Sequence, residues 1–442
     1  METVLLFILG VVIIVIGLAI SIGLHEIGHL VPAKKFGVKV GQYMIGFGPT
    51  LWKRKYGETE YGIKAIPLGG YISMAGMFPP AKEGGKPRTA STGFFDTLVQ
   101  DARTSSADTI KAGDEDRVFY KLPVWKRIII MLGGPTMNLI IAIALYTVVI
   151  CGFGLPQPSL TVASVSECII PATSDRTECT PQDDPAPAAA AGVLPGDRIV
   201  SVDGTPAENW TDATAIIRSS GGEPVTLVID RDGSTQTLEL TPVLTERSVF
   251  DAQGNPVLDA NGDPTTEQVG LIGISPDYEN VQQPVTAVLP AVGNNIVAVG
   301  KIIVTLPQRL WQVGEAAFGG AERDPNGPIG VIGIGRLAGE ITSYDGAPVA
   351  DRMAQLIGML ASLNIALFVF NLIPLLPLDG GHVAGALWEA LRRRVAKLLK
   401  RPDPGPVDTA RLIPVTLAVS AVLGVMTLLL VYADIVNPIS FL

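Results

Sequence analysis

Histidine is scarce in this chain of 442 residues, with three in all, and cysteine is equally scarce, also with three. Charge is thin as well: Asp, Glu, Lys and Arg make up 17% of the chain and are missing altogether from Val4–Leu24, Ile128–Phe153, Met353–Leu378 and Leu412–Ala433. Each absence excludes something. Four uncharged runs, in a chain that is 48% hydrophobic with mean hydropathy +0.38, exclude an ordinary soluble domain. Each run can cross a bilayer core of about 30 Å, which takes roughly 20 helical residues. A basic start is lacking too: Met1-Glu2-Thr3 has no Lys or Arg, and no A-x-A-like site follows. That argues against a cleaved signal peptide, and the first run reads as a retained helix. Cysteine is too sparse for a metal knuckle. Cys151 reads as a small packed residue, while Cys168 and Cys179 have no zinc-knuckle spacing and, if they lie outside the membrane, form a possible disulfide.

What charge there is lies unevenly. Residues 31–127 and 386–411 hold 16 and 7 of the 33 Lys and Arg, the second including RRRVAKLLKR, whereas residues 152–355 hold 10 against 26 Asp and Glu. The positive-inside bias places the two basic stretches in the cytoplasm and the acidic middle outside, so four crossings leave both termini outside. Residues 284–314 are also apolar, but Asn294, Asn295, Lys301 and the prolines make them an interfacial amphipathic segment rather than a fifth span. With a net charge of −9, no nucleic-acid partner is expected; membrane lipid is.

Between the runs, Gly41–Gly76 alternates aromatic and β-branched residues with Gly and Pro, the pattern of short strands and turns. Residues 80–120 are polar and read as a mobile insertion. Ala188–Pro242 reads as turn, strand, turn, helix, strand, hairpin, strand, with Asp-Gly at its turns. Its GVLPGDRIVSVDG resembles the signature of bacterial protease PDZ modules; residues 167–187 look like a loop inserted in it, and Asp251–Glu267 like an exposed hairpin or loop.

Two of the three histidines stand in HEIGH, at the end of the first apolar run. Ionisable groups at membrane depth are costly and mark function. On a helix His25 and His29 are i and i+4, on one face about 5–6 Å apart, so both can ligate one zinc ion. Glu26 beside them is placed to act as general base toward a water polarised by the metal. For a third ligand the cysteines are poorly sited. Asp379 in NLIPLLPLDGGH stands out, because it ends the third run as HEIGH ends the first, and four crossings bring both motifs to the cytoplasmic side. A helix stop is the alternative reading of Asp-Gly-Gly.

Taken in order, HEIGH, GFGP with YGIKAIPLGGYISMAG, GGPTMN, the PDZ-like stretch, GPIGV and NLIPLLPLDGGH resemble the site-2 proteases, intramembrane zinc metalloproteases, over nearly the whole chain. One PDZ module rather than two, and the inserts at 80–120 and 167–187, depart from the common pattern. The resemblance implies one Zn2+ per chain held by His25, His29 and Asp379, Glu26 as catalytic base, and Asn371 and Asn138 as substrate-binding or site-lining residues. His382 is then a loop residue or one that supports a ligand. It also implies the substrates: single-pass membrane proteins such as anti-sigma factors, first cut outside by a site-1-type protease, or remnant signal peptides.

The fold expected is a polytopic α-helical membrane protein of the bacterial cytoplasmic membrane. It has four transmembrane helices, a membrane-re-entrant β-hairpin region and one external PDZ-like α/β domain, with the active site near the cytoplasmic leaflet. The expected boundaries are 1–36 (first helix with HEIGH), 37–78 (re-entrant β region), 79–121 (cytoplasmic insertion), 122–155 (second helix) and 158–245 (PDZ-like domain). There follow 246–350 (external linker and amphipathic segment), 351–384 (third helix with LDGG), 385–410 (basic loop) and 411–436 (fourth helix). The rival readings are a membrane-embedded zinc protease of another family, whose third ligand is a downstream Glu, and a non-enzymatic PDZ scaffold.

Overall fold

The computed structural model describes the chain except residues 1, 80–93, 111, 171–175, 177, 181–182, 250–256, 260–264, 321–322, 325–326 and 440–442. It divides into two compact units, Met1–Phe153 with Gln283–Leu442, and Gly154–Gln282.

In the first unit the opening apolar run and HEIGH form one helix, α1 (Glu2–Lys35). It leads into two long strands, β1 (Val40–Tyr56) and β2 (Thr59–Met74). Instead of one straight ladder they fold on each other: residues 40–45 pair with 70–74, residues 42–45 also lie beside 60–63, and 52–56 pair with 59–63. The bends fall at glycines with positive φ, Gly46 and Gly69, where a side chain would be strained. The stretch 80–120, expected as a mobile insertion, is in part a packed element. Its α2 (Phe94–Asp108) pairs Arg103 with Asp408, and Val118 and Phe119 are buried against the end of β2. Residues 80–93 lie outside the described residues. Next, α3 (Val124–Thr147) continues as a wider π turn to Phe153.

The second unit contains β3 (Leu155–Val165), α4 (Pro187–Ala190), β4 (Arg198–Val202), β5 (Thr205–Pro206), α5 (Trp210–Ser219), β6 (Val225–Arg231), β7 (Ser234–Leu240), β8 (Val243–Ser248), β9 (Thr266–Leu271) and β10 (Ile274–Val281). Its main sheet runs β10-β3-β4-β6-β7. The alternating residues Ile199, Leu227 and Ile229 point into a core closed by Ala213 and Ile217 of α5. Asn209 caps α5 by accepting from the Asp212 amide. Buried Asp197 accepts twice from Arg231 at 2.7 Å, and that guanidinium holds its carboxyl below the ordinary value. A disulfide joins Cys168 to Cys179. The expected boundary at 245 falls short. β8, β9 and β10 belong to this unit, because β10 pairs with β3, more than a hundred residues away in sequence, instead of running on as linker. Part of the stretch read as an exposed hairpin or loop, 251–256 and 260–264, lies outside the described residues.

The first unit resumes with α6 (Val288–Gly319), α7 (Val331–Ser343), α8 (Val349–Asn371), α9 (Asp379–Leu398) and α10 (Ile413–Val436). Residues 288–314 therefore lie in one continuous helix, preceded by a 3-10 turn at Val285–Ala287, and Val285–Gly319 joins the four expected runs as a fifth segment long and apolar enough to cross a membrane. The third apolar run is corrected: helix α8 stops at Asn371, and Asp379 opens a new helix instead of closing the old one. Pro374 and Pro377 lack the amide hydrogens a continuing helix needs, which ends the third helix seven residues before LDGG. The most apolar 18-residue window of α10 has no residue buried inside the protein, and that of α1 only 17%. Such surfaces are stable against lipid and not against water.

Contacts fix how these helices run. Gly28 meets Gly133, His29 bonds the Ile130 carbonyl and His25 bonds Asn138, so α3 is antiparallel to α1. Gly17 meets Leu360 and Ser21 meets Asn364, so α8 is parallel to α1. A buried ion pair, Arg127 to Glu389 at 2.6 Å, ties the start of α3 to α9; Arg393 and the Val407 amide also reach Glu389. Removing one partner of such a pair costs about 3–5 kcal/mol.

Candidate functional site

Three side chains converge where α1, α3 and the start of α9 meet. His25 and His29 project from one face of α1, with their Nε2 atoms 3.2 Å apart. Asp379 Oδ2 lies 3.4 Å from His25 Nε2 and 3.3 Å from His29 Nε2. These residues form a cluster of His, Cys, Asp or Glu side chains fit to hold a metal among the described residues. The three separations are those of a tetrahedron's edges: ligand atoms about 2.0–2.1 Å from a common centre stand about 3.3 Å from one another.

The surroundings fit a cation. Asp379 Oδ2 is a buried oxygen with no hydrogen-bond partner among the described residues, an expensive state unless a cation takes its charge. His29 Nδ1 lies 2.7 Å from the Ile130 carbonyl oxygen, which can only accept, so the proton sits on Nδ1 and the Nε2 lone pair faces the cluster. Asn138, fully buried, holds the far nitrogen of the other imidazole, its amide 3.1 Å from His25 Nδ1. With the amide oxygen turned to that nitrogen, which satisfies the otherwise unpartnered Oδ1, His25 also presents a lone pair at Nε2. Asn138 thus stands behind the His25 ring, on the side away from Asp379 and His29. Replacing Asn138 with Leu is expected to weaken zinc binding about 10–100-fold, as read by competition with a chromogenic chelator; unchanged affinity would remove this positioning role.

Glycines make room for the cluster. A Cβ on Gly134 would stand 2.7 Å from His25 Nε2 and nearer still to His29 Nε2. Buried Glu26 packs against β2, where a Cβ on Gly70 would come 2.9 Å from its Cγ. His382, one turn into α9 from Asp379, lines a small cavity with Met77, Phe119, Arg127 and Glu389 and is outside the three-residue cluster. Asn371 closes α8 half-buried; among the described residues no hydrogen bond joins it to His25, His29 or Asp379. Sequence reasoning missed the Ile130 carbonyl, Asn364 with Ser21 and the Arg127–Glu389 pair. Only an uncharged run containing Asn and Ser hinted at the second of these.

The model of peptidase family M50 matches residues 13–401. The chain is 34% identical over 445 residues to zinc metalloprotease Rip1 of Mycobacterium tuberculosis, covering 98% of this chain and 99% of that protein. It is 34% identical over 449 residues to zinc metalloprotease Rip1 of Mycolicibacterium smegmatis, covering 99% of both. To metalloprotease MmpA of Caulobacter vibrioides it is 28% identical over 397 residues, 88% of each. With its long apolar helices, this chain is a multi-pass membrane zinc metalloprotease and belongs to peptidase family M50, the site-2 proteases.

Proposed function

We propose that this protease cuts peptide bonds within the transmembrane segments of single-pass membrane proteins, anti-sigma factors or remnant signal peptides, after a first external cut by another protease. The observation that carries the reading is the three ligand atoms 3.2–3.4 Å apart on helices apolar enough to span lipid. His25, His29 and Asp379 hold the zinc ion, which when bound polarises water and the scissile carbonyl. Glu26 takes the proton from the attacking water and returns it to the leaving amine. Asn138 and the Ile130 carbonyl keep both imidazoles in the ligating tautomer. Asn371 and Asn138 remain the residues proposed to line the site, Asn138 from behind His25.

A transmembrane helix hides its carbonyls in its own hydrogen bonds, so it must unwind before cleavage. Among the described residues, 70–74 pair with 40–45 on one side only, and Gly70 lies against Glu26, so an unwound substrate can add to this edge as a strand. Exposed Phe47, Leu51, Trp52 and Tyr56 on β1 support a sheet that dips into the membrane.

Four crossings are supported by helix direction. The end of α3 and the start of α8 both lie at the N-terminal end of α1, so the chain between them crosses an even number of times. α6 could cross only if α7 returned, and thirteen residues reach about 20 Å, short of about 30 Å. Charge then places the termini and Gly154–Gln282 outside and the site near the cytoplasmic leaflet. That unit is proposed as a PDZ-like domain that excludes bulky substrates or binds new C-termini.

The test is cleavage of a single-pass substrate by the full chain in liposomes, with the cut located by mass spectrometry. Cuts inside the apolar span, lost on zinc chelation, are expected. Cuts confined to the flanks would overturn the intramembrane reading, and no cleavage of any membrane substrate would favour a scaffold.

A further inference from the structure

The helix opened by Asp379 carries a surface that metal binding and proteolysis do not use. Along α9, Ala386, Glu389 and Ala390 turn toward the protein, and Glu389 meets Arg127 there. At 100° per residue, Leu387, Trp388, Leu391, Val395, Leu398 and Leu399 fall in one stripe about 120° wide on the far side. All six are exposed, between 44% and 82%. Arg394 borders the stripe on one side and Arg392 on the other, and Arg401, just past the helix end, has its amide bonded to the Ala396 carbonyl. Trp388, Leu391, Val395 and Leu399 line a groove of about 410 Å³ that also bears Arg392 and Arg401. An apolar stripe of this size is unstable against water, and its two arginine borders repel a cationic or purely apolar occupant.

We propose that this face of α9 is a binding surface for anionic phospholipid. The acyl region lies on the Trp–Leu–Val stripe, and the headgroup phosphate is taken by Arg392, Arg394 and Arg401. Arginine suits that role because its planar fork meets phosphate oxygens two at a time. The source of the lipid is the bilayer itself. α9 follows α8 after seven residues and leads through a short loop into α10, both apolar enough to span lipid. Basic helices with a Trp-bearing apolar face settle at such headgroup layers. The bilayer surface would thereby hold the helix whose first residue is Asp379. The inference rests on the reading of α8 and α10 as bilayer spans.

The test uses the full chain with Cys151→Ser and a fluorophore on one introduced cysteine, reconstituted in phosphatidylcholine vesicles. The vesicles carry a minority of nitroxide-labelled lipid, either phosphatidylglycerol or phosphatidylcholine. A label at Leu391→Cys should be quenched, more strongly by the phosphatidylglycerol quencher, and a label at Lys397→Cys, off the stripe, less so. Charge reversal at Arg392, Arg394 and Arg401 together should remove the preference for phosphatidylglycerol. Leu428→Cys, at a residue of α10 that is 70% exposed, is the span control. Quenching at Leu428 without quenching at Leu391 would overturn the lipid surface alone; no quenching at Leu428 would overturn the span reading and the proposal with it. Equal quenching by the two lipids would remove the anionic preference. Energy transfer between Leu391 labels on two copies, with no lipid quenching, would give the stripe to a second copy of the chain.

Discussion

Glu26→Gln is expected to leave zinc content and fold intact and to abolish measurable cleavage. The amide keeps the shape that packs against Gly70 of β2 but cannot take a proton from water. General-base catalysis is worth about 10²–10⁴-fold, and here the same group must also protonate the leaving amine, so the loss should sit at the top of that range. Because His25, His29 and Asp379, the proposed zinc ligands, are untouched, the loss should fall on kcat while zinc stoichiometry stays at one. The measurement is the single-turnover rate on a reconstituted transmembrane substrate beside metal analysis of the same preparation. A near wild-type rate would reassign the base; loss of zinc together with activity would make Glu26 a structural support of the ligands.

The second large effect is expected from the smallest substitution. Gly134→Ala adds one methyl group on α3 where the two imidazole Nε2 atoms converge. An added Cβ under 3 Å from both rings forces them apart, and the approximately 3.3 Å edges demanded by bonds of about 2.0–2.1 Å are lost. Zinc should be depleted as thoroughly as in Asp379→Ala, which removes the carboxylate itself, and by more than the roughly 10–100-fold expected when only a supporting residue changes. Gly358→Ala is the control, since nothing lies within 4 Å of a Cβ there. Full zinc occupancy in Gly134→Ala would mean that α3 stands further from α1 than Gly28 and Gly133 indicate. Full occupancy in Asp379→Ala would reassign the third ligand.

The parts of this protein legible in its sequence are those carried by short-range pattern. Uncharged runs declare lipid-facing helices, because burying a charge in hydrocarbon costs more than any local compensation offers. His25 and His29 share a face because helical spacing alone puts i and i+4 together. In residues 188–242 alternation and Asp-Gly turns marked the strands for the same local reason. Only the tertiary structure decided what depends on partners far along the chain. The ladder between β10 and β3 moved a domain boundary from 245 to 282, and no property of residues 274–281 alone names residues 155–165 as their partner. Asn138 lies 113 positions from His25, and its place behind that ring follows from the antiparallel contact of Gly28 with Gly133, not from the composition of GGPTMN. Arg127 and Glu389 are each unremarkable on their own helices and become a buried pair only where α3 crosses α9. For Asp379 the sequence determined the residue type and tertiary structure its setting: two prolines end α8 at Asn371, and the chain restarts as α9 with the carboxylate at its first turn, facing two histidines more than three hundred residues away.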